Sequence, residues 1–109
     1  MDQDLHRTAW NRLAVLLQVP RTTGVFLLGA GAGRSPQDVI MVGSARNLRA
    51  RLLEILRSGD VRAAGATAVH WVSDLSVEQA RLAERMFTRR YDPPFNPAPP
   101  TRYLDILAG

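Results

Sequence analysis

Two short apolar runs separated by a glycine-rich stretch constrain the fold of this chain more than any other feature. Residues 24–28 (Gly-Val-Phe-Leu-Leu) and 39–42 (Val-Ile-Met-Val) each have the length of a buried strand and are bounded by turn residues. A connection of this length most simply joins the two strands as an antiparallel hairpin. A dinucleotide-binding loop would need a glycine in place of Arg34 and a helix directly afterwards, whereas Ser35, Pro36 and a strand follow. The sequence therefore favours the hairpin.

Helical periodicity predicts two helices around this hairpin. Residues 4–18 carry apolar side chains at helical spacing, and Pro20 ends the pattern. Residues 45–58 carry a second apolar stripe, with Ser44 as the predicted N-cap and Gly59 as the terminating residue.

A third strand and a third helix follow in the second half of the chain. Residues 67–72 are rich in β-branched and aromatic side chains, which favours a strand. Strand alternation predicts that one of His70 and Trp71 faces the core and the other faces outward. Ser76 is followed three residues later by a glutamine, which matches a capping box and predicts a helix to about Arg90.

The length of 109 residues predicts one domain. We divide it into an N-terminal helix (1–19), a core (20–96) and a proline-rich tail (97–109). Residues 92–100 cannot be helical, so we expect them to lie extended over the surface, and we expect the last apolar side chains to dock the end of the chain. These side chains are Leu104, Ile106 and Leu107.

The charged residues favour a polyanionic partner. Every one of the 14 basic residues is arginine, against 10 acidic residues, and the net charge is +4. Arginine keeps its charge at any accessible pH and offers a planar fork that matches phosphate. An arginine-only composition also follows from a GC-rich genome, so both explanations stay open.

Several functional classes are excluded by composition. The chain has no cysteine and two histidines, which excludes disulfides and makes zinc sites improbable, so carboxylates that select hard cations such as Mg²⁺ remain. No apolar run approaches the roughly 18 residues of a membrane helix. The first residues are acidic where a secretory signal would be basic. We expect a cytoplasmic protein with no membrane association.

Two charged residues fall on the apolar sides of predicted helices. Arg51 lies at the edge of the apolar stripe of 45–58, where it either extends its stem over the core or places a fixed cation beside a cleft. Glu84 also lies on the apolar side of its helix. A carboxylate in that position is either paired, with Arg81 or Arg85 as the nearest partners, or it binds a metal.

Five segments occur in an order and spacing that are typical of one nuclease family. They are residues 23–28, 39–43, 44–52, 76–84 and 91–96. Together they resemble the GIY-YIG nuclease superfamily, particularly the N-terminal nuclease domain found in the nuclease component of bacterial excinuclease. The similarity spans about residues 20–96.

This resemblance implies an α+β fold in which helices flank a small three-stranded antiparallel sheet. It also implies that Arg51 stabilises charge on the attacked phosphate and that Glu84 holds one divalent cation, Mg²⁺ or Mn²⁺. Asn96 matches a further active-site residue of the family. Phosphodiester hydrolysis needs a cation and a metal for charge stabilisation, and a base that prepares water.

The chain departs from the family at the positions that orient or deprotonate the water. Phe26 and Met41 replace the two signature tyrosines. Ile55 replaces a hydroxyl or imidazole one turn after the arginine, and Ser44 replaces a frequent lysine. Phenylalanine and methionine cannot accept a proton, and loss of a general base costs about 10²–10⁴ in rate.

We therefore expect a GIY-YIG-like domain that has lost efficient nuclease activity and serves in nucleic-acid binding or assembly, with DNA favoured over RNA. The predicted nucleic-acid contacts are Arg46, Asn47, Arg49 and Arg51. One alternative is an active metal-dependent endonuclease that uses a different base, for which Tyr91, Ser44 and His70 are the nearby candidates. Another is a protein-interaction domain that uses the N-terminal helix with Trp10.

Overall fold

A four-stranded antiparallel sheet with helices on both faces organises the chain, in an α+β arrangement. The computed structural model describes residues 5–30 and 36–94. In chain order the elements are β1 (His6–Ala9), α1 (Arg12–Gln18), β2 (Gly24–Ala30), β3 (Gln37–Ala45), α2 (Leu48–Ser58), β4 (Ala68–Val72) and α3 (Val77–Tyr91), with a 3₁₀ turn at Val61–Ala63. The strand order in the sheet is β1-β4-β2-β3. All three pairings are antiparallel.

The predicted hairpin is confirmed. β2 and β3 pair in register from Gly24 opposite Ala45 to Leu28 opposite Met41, with an irregularity before the final pair. The central position of β2, between β3 and β4, explains why its sequence reads as one apolar run, because both of its faces are covered.

The single helix predicted over 4–18 is wrong, and so is the count of three strands. His6–Ala9 forms β1, which pairs with β4 and brings the His6 ring to 5.4 Å from that of Trp71. The helix begins only after Asn11, whose side chain accepts a hydrogen bond from the Ala14 amide at 2.8 Å. Pairing with a distant strand outweighs the weak local preference for helix here.

The second helix begins later than predicted. β3 continues to Ala45, so Ser44 lies in the strand and Asn47 is the N-cap, accepting from the Ala50 amide at 3.0 Å. The predicted terminator is confirmed, since Gly59 adopts a left-handed conformation with φ of 65°.

The third strand and helix are confirmed with one correction. β4 and α3 fall where the pattern places them, and Ser76 and Gln79 form the complete capping box. His70 and Trp71, however, are both buried, at 3% and 4% exposure. The prediction that one faces outward is wrong because both faces of the sheet are covered at this strand.

The two faces of the sheet bury separate apolar clusters. Helices α1 and α2 cover one face, whose cluster includes Val15, Val19, Phe26, Leu28, Met41, Leu48, Leu52, Ile55, Val69 and Trp71. Helix α3 covers the other, where Ala83, Phe87 and Tyr91 pack against Val25, Leu27, Val39 and Val42. Arginines on α2 and on α3 are therefore presented on opposite sides of the sheet.

Some expectations concern parts of the chain outside the described residues. Residues 1–4, 31–35 and 95–109 are in this group, so Asn96 and the tail side chains Leu104, Ile106 and Leu107 have no structural account here. Among the described residues, no helix is long and apolar enough to cross a membrane.

Candidate nucleic-acid interface

Helix α3 carries four arginines, all of them exposed. Its core side is formed by small and aromatic residues that pack on the sheet, and its arginines lie on the outer side. The capping box fixes its start, and Asp92 ends it in a left-handed conformation with φ of 45°. Arg81, Arg85 and Arg89, which we call the arginine stripe, follow one another at intervals of four residues on the outside of this helix.

The arginine stripe lines one open groove. Glu84, Thr88 and Asp92 complete its lining, and its volume is about 600 Å³. All three guanidinium groups are on exposed residues, and within the described residues none makes a hydrogen bond or an ion pair. Side chains four residues apart on a helix are neighbours about 6 Å apart, so the three cations form a continuous line.

A smaller groove extends this line toward the sheet edge. Its volume is about 150 Å³, and its lining includes Thr23, Ser44, Arg46 and Arg81. Arg81 therefore belongs to both grooves. The Thr23 hydroxyl donates to the Arg46 carbonyl at 3.2 Å, which holds the backbone at this point. Arg46 is exposed, and its guanidinium makes no hydrogen bond or ion pair with the rest of the described chain.

Glu84 lies half-buried within this basic surface. Its Oε1 accepts a hydrogen bond of 2.6 Å from the Ser44 hydroxyl. Neither Arg81 nor Arg85, the partners suggested by sequence proximity, forms an ion pair with it. The strand position of Ser44 explains this contact, because Ser44 lies opposite Val25, whose side chain faces α3.

The residues around Glu84 fit a divalent cation only in part. The described residues contain no group of three or more His, Asp or Glu side chains that could hold a metal ion. Mg²⁺ commonly uses one or two carboxylates and takes its other ligands from water and substrate phosphates. Glu84 supplies one such carboxylate, so a cation there would need phosphate oxygens as further ligands, and the arginine stripe disfavours the cation until a phosphate is present.

On α2, the predicted nucleic-acid contacts are engaged in the fold. The Asn47 side chain caps the helix. Arg49 is half-buried and its Nε donates to the Val19 carbonyl at 2.7 Å. Arg51 forms an ion pair of 2.9 Å with Glu54. Of the four predicted contacts, Arg46 alone is left without a partner within the described residues.

The positions that the resemblance to GIY-YIG nucleases assigns to a site are divided between the two sides of the sheet. Phe26 and Met41 are buried at 1% and 2% exposure in the cluster beneath α2. The Phe26 ring lies against Gly43, where an added Cβ would be 2.5 Å from the Cζ atom. Arg51 is on α2 and Glu84 is on α3, and no hydrogen bond or ion pair joins them.

Sequence reasoning missed two features of this surface. The arginine stripe was visible as arginines at positions 81, 85 and 89, a spacing that aligns side chains on one helix face. The hydrogen bond between Ser44 and Glu84 gave no such signal, because the two residues are 40 positions apart.

Comparisons with known proteins do not indicate a function for this surface. No protein-family model matches the chain, and no curated protein or solved structure matches it. The interpretation of the surface therefore depends on its geometry and charge.

Proposed function

We propose that this domain binds nucleic acid through the arginine stripe and Arg46, and that it is a GIY-YIG-like domain without efficient nuclease activity. The observation that carries the proposal is the row of exposed arginines that continues through two adjoining grooves and has no hydrogen-bond or ion-pair partner in residues 5–30 and 36–94. Guanidinium groups left unpaired on a helix face are suited to bind a row of phosphates. The contacts are expected to involve the backbone, so they do not select a base sequence.

The same geometry supports the loss of efficient cleavage. The two positions that match the signature tyrosines hold buried apolar side chains that cannot orient or deprotonate a water. Glu84 is a single carboxylate that already accepts a hydrogen bond from Ser44. A surface with this composition retains charge complementarity to phosphate, while the two signature positions provide no group that can accept a proton.

A matched pair of triple variants tests the binding surface. Fluorescence anisotropy would measure the affinity of the full chain for labelled single-stranded DNA, duplex DNA and RNA over a series of salt concentrations. Replacing Arg81, Arg85 and Arg89 with alanine should weaken binding by about 100-fold near physiological salt. It should also lower the slope of log affinity against log salt by about 2 to 3, because each lost phosphate contact contributes about 0.7–0.9.

The control removes the same charge from elsewhere on the surface. Arg12, Arg21 and Arg57 are exposed and lie outside both grooves, so their replacement with alanine should change affinity less than about threefold. Equal losses in the two triple variants would mean that net charge alone attracts nucleic acid. Undetectable binding by the unmodified chain would overturn the proposal.

An active endonuclease is the second candidate, and the hydrogen bond between Ser44 and Glu84 favours it. That pair places a hydroxyl and a carboxylate 2.6 Å apart, with Ser44 in the lining of the smaller basic groove and Glu84 in the lining of the larger one. Plasmid cleavage would be assayed with Mg²⁺ and then Mn²⁺. Cleavage that is lost in Glu84→Ala and kept in Glu54→Ala, which removes an exposed carboxylate from α2, would establish this activity.

A protein-interaction role is supported by a different helix. Leu13 and Leu17 lie four residues apart on α1 and are 65% and 69% exposed. An apolar pair of this kind can pack on a partner. This role would be supported by two results together. The chain would show no affinity for nucleic acid, and it would form a protein complex that the double variant Leu13→Ser, Leu17→Ser no longer forms.

A further inference from the structure

A pair of apolar side chains on the outer face of α3 has no partner among the described residues. Leu82 and Met86 are four residues apart and are 51% and 62% exposed. Side chains at this spacing form one continuous patch on a helix. Arginines border the patch, with Arg85 and Arg89 on one side and Arg90 on the other. We call this patch the α3 apolar face.

The described chain ends at Pro94, two residues after the C-cap of α3. Asp92 turns the backbone at the helix end with φ of 45°, and Pro93 is buried immediately afterwards. The chain therefore leaves the described structure close to the last turn of α3. Met86 lies six residues before Asp92, which is about 9 Å along the helix axis.

The residues that follow are long enough to reach back to this face. Residues 95–102 form a connection of eight residues that includes three prolines. Eight residues can span at most about 28 Å, well beyond the distance to Met86. The next segment, 103–107 (Tyr-Leu-Asp-Ile-Leu), contains four apolar side chains and one carboxylate, Asp105.

We propose that segment 103–107 of this chain binds to the α3 apolar face. Its apolar side chains would cover Leu82 and Met86, and Asp105 would lie beside Arg85 and Arg89, which make no ion pair within the described residues. The exposed pair on α1, Leu13 and Leu17, is the competing surface. It lies on the opposite side of the sheet, because α1 packs on the cluster that α2 also covers. The contact does not require nucleic acid, but Asp105 would compete with phosphate for Arg85 and Arg89, which belong to both surfaces.

Engineered disulfides test the contact in the full chain, which contains no cysteine. Met86→Cys combined with Ile106→Cys would be oxidised with glutathione disulfide at low protein concentration. The control, Leu17→Cys with Ile106→Cys, places the first cysteine at a position of similar exposure on α1. If the segment binds α3, the intramolecular disulfide should form about tenfold or more faster in the Met86 pair, since docking raises the effective concentration of the two thiols.

Two further observations decide the outcome. Adding Leu82→Ser to the variant with Met86→Cys and Ile106→Cys should slow disulfide formation to the rate of the control. The circular dichroism spectrum should stay unchanged because Leu82 is exposed. Equal closure rates for the two cysteine pairs would overturn the proposal. Disulfide-linked dimers formed at the expense of the intramolecular product would also overturn it, because they would show that a second copy covers this face.

Discussion

Helices α2 and α3 contain similar numbers of arginines but use them differently. On α2, Arg49 donates to a backbone carbonyl and Arg51 pairs with Glu54. On α3, the arginine stripe has no partner within the described residues, and a carboxylate nearby, that of Glu84, is bound by Ser44 instead. The two helices also cover opposite faces of the sheet.

The difference shows that the availability of acceptors, more than the number of arginines, decides which surface can bind a polyanion. A guanidinium that already donates to the protein would have to give up that bond to bind phosphate, and the exchange leaves a backbone or carboxylate acceptor unsatisfied. The arginine stripe makes no such bond within the described residues, so binding phosphate leaves no protein acceptor unsatisfied there. The interpretation of α2 as the binding helix followed from the arginines on its predicted polar face, and the positions of the acceptors move the proposed surface to α3.

The largest difference in stability between a variant of α2 and a variant of α3 is expected for the replacement of Arg49. Arg49→Ala should lower the free energy of unfolding by about 1–2 kcal/mol, because the part-buried Val19 carbonyl loses its charged donor. Arg85→Ala on α3 should change it by less than about 0.5 kcal/mol. Urea denaturation followed by circular dichroism measures both values.

Nucleic-acid affinity should show the reverse order for these two variants. Arg85→Ala should weaken binding by about fivefold to tenfold, whereas Arg49→Ala should change it no more than Arg57→Ala, the loss of an exposed arginine from the same helix. If Arg49→Ala instead weakens binding while stability stays unchanged, the comparison between the helices fails.

A smaller effect is expected at the start of α2. Asn47→Ala should lower the free energy of unfolding by about 1 kcal/mol because the Ala50 amide loses its acceptor. Asn47→Ser keeps a capping oxygen and should restore most of that stability. Nucleic-acid affinity should be unchanged in both variants, and a loss of affinity shared by both would return Asn47 to the binding surface.

The smallest expected effect is a pH-dependent change in the free energy of unfolding, which arises from Asp60 and Arg62 just beyond the end of α2. Hydrogen bonds from the Arg62 side chain and amide lower the pKa of Asp60 from 3.8 to about 2. A lowered pKa in the folded state adds stability above pH 4, and that stability is lost as the pH falls from about 4 to about 2. We expect a loss of at most about 1 kcal/mol, because solvent screens a partly exposed pair.

Asp60→Asn provides the matched measurement. Unfolding of this variant and of the unmodified chain would be compared at pH 5 and at pH 2.5, and the difference between the two proteins should shrink at the lower pH. A difference that stays constant would show that Asp60 stabilises the fold by a contact that does not depend on its charge.

Local patterns predicted those elements whose determinants are close in sequence. The hairpin of β2 and β3, the capping box at Ser76 and the terminator at Gly59 each depend on residues within a few positions, and each is confirmed. The helix predicted over 4–18 is wrong because its first part completes a sheet with β4, in a register that places His6 opposite Trp71. No periodicity within residues 4–18 contains that information.

The sequence by itself determined the charges, the order of most elements and the apolar sides of α2 and α3. The tertiary structure decided which polar groups meet. Arg49 and the Val19 carbonyl are 30 positions apart, and Ser44 and Glu84 are 40 positions apart. Helical and strand periodicities assign a side chain to one side of its own element. Its partner depends on which element the chain folding brings to that side, and this is why Arg49 and Arg51 have acceptors while the arginine stripe has none within the described residues.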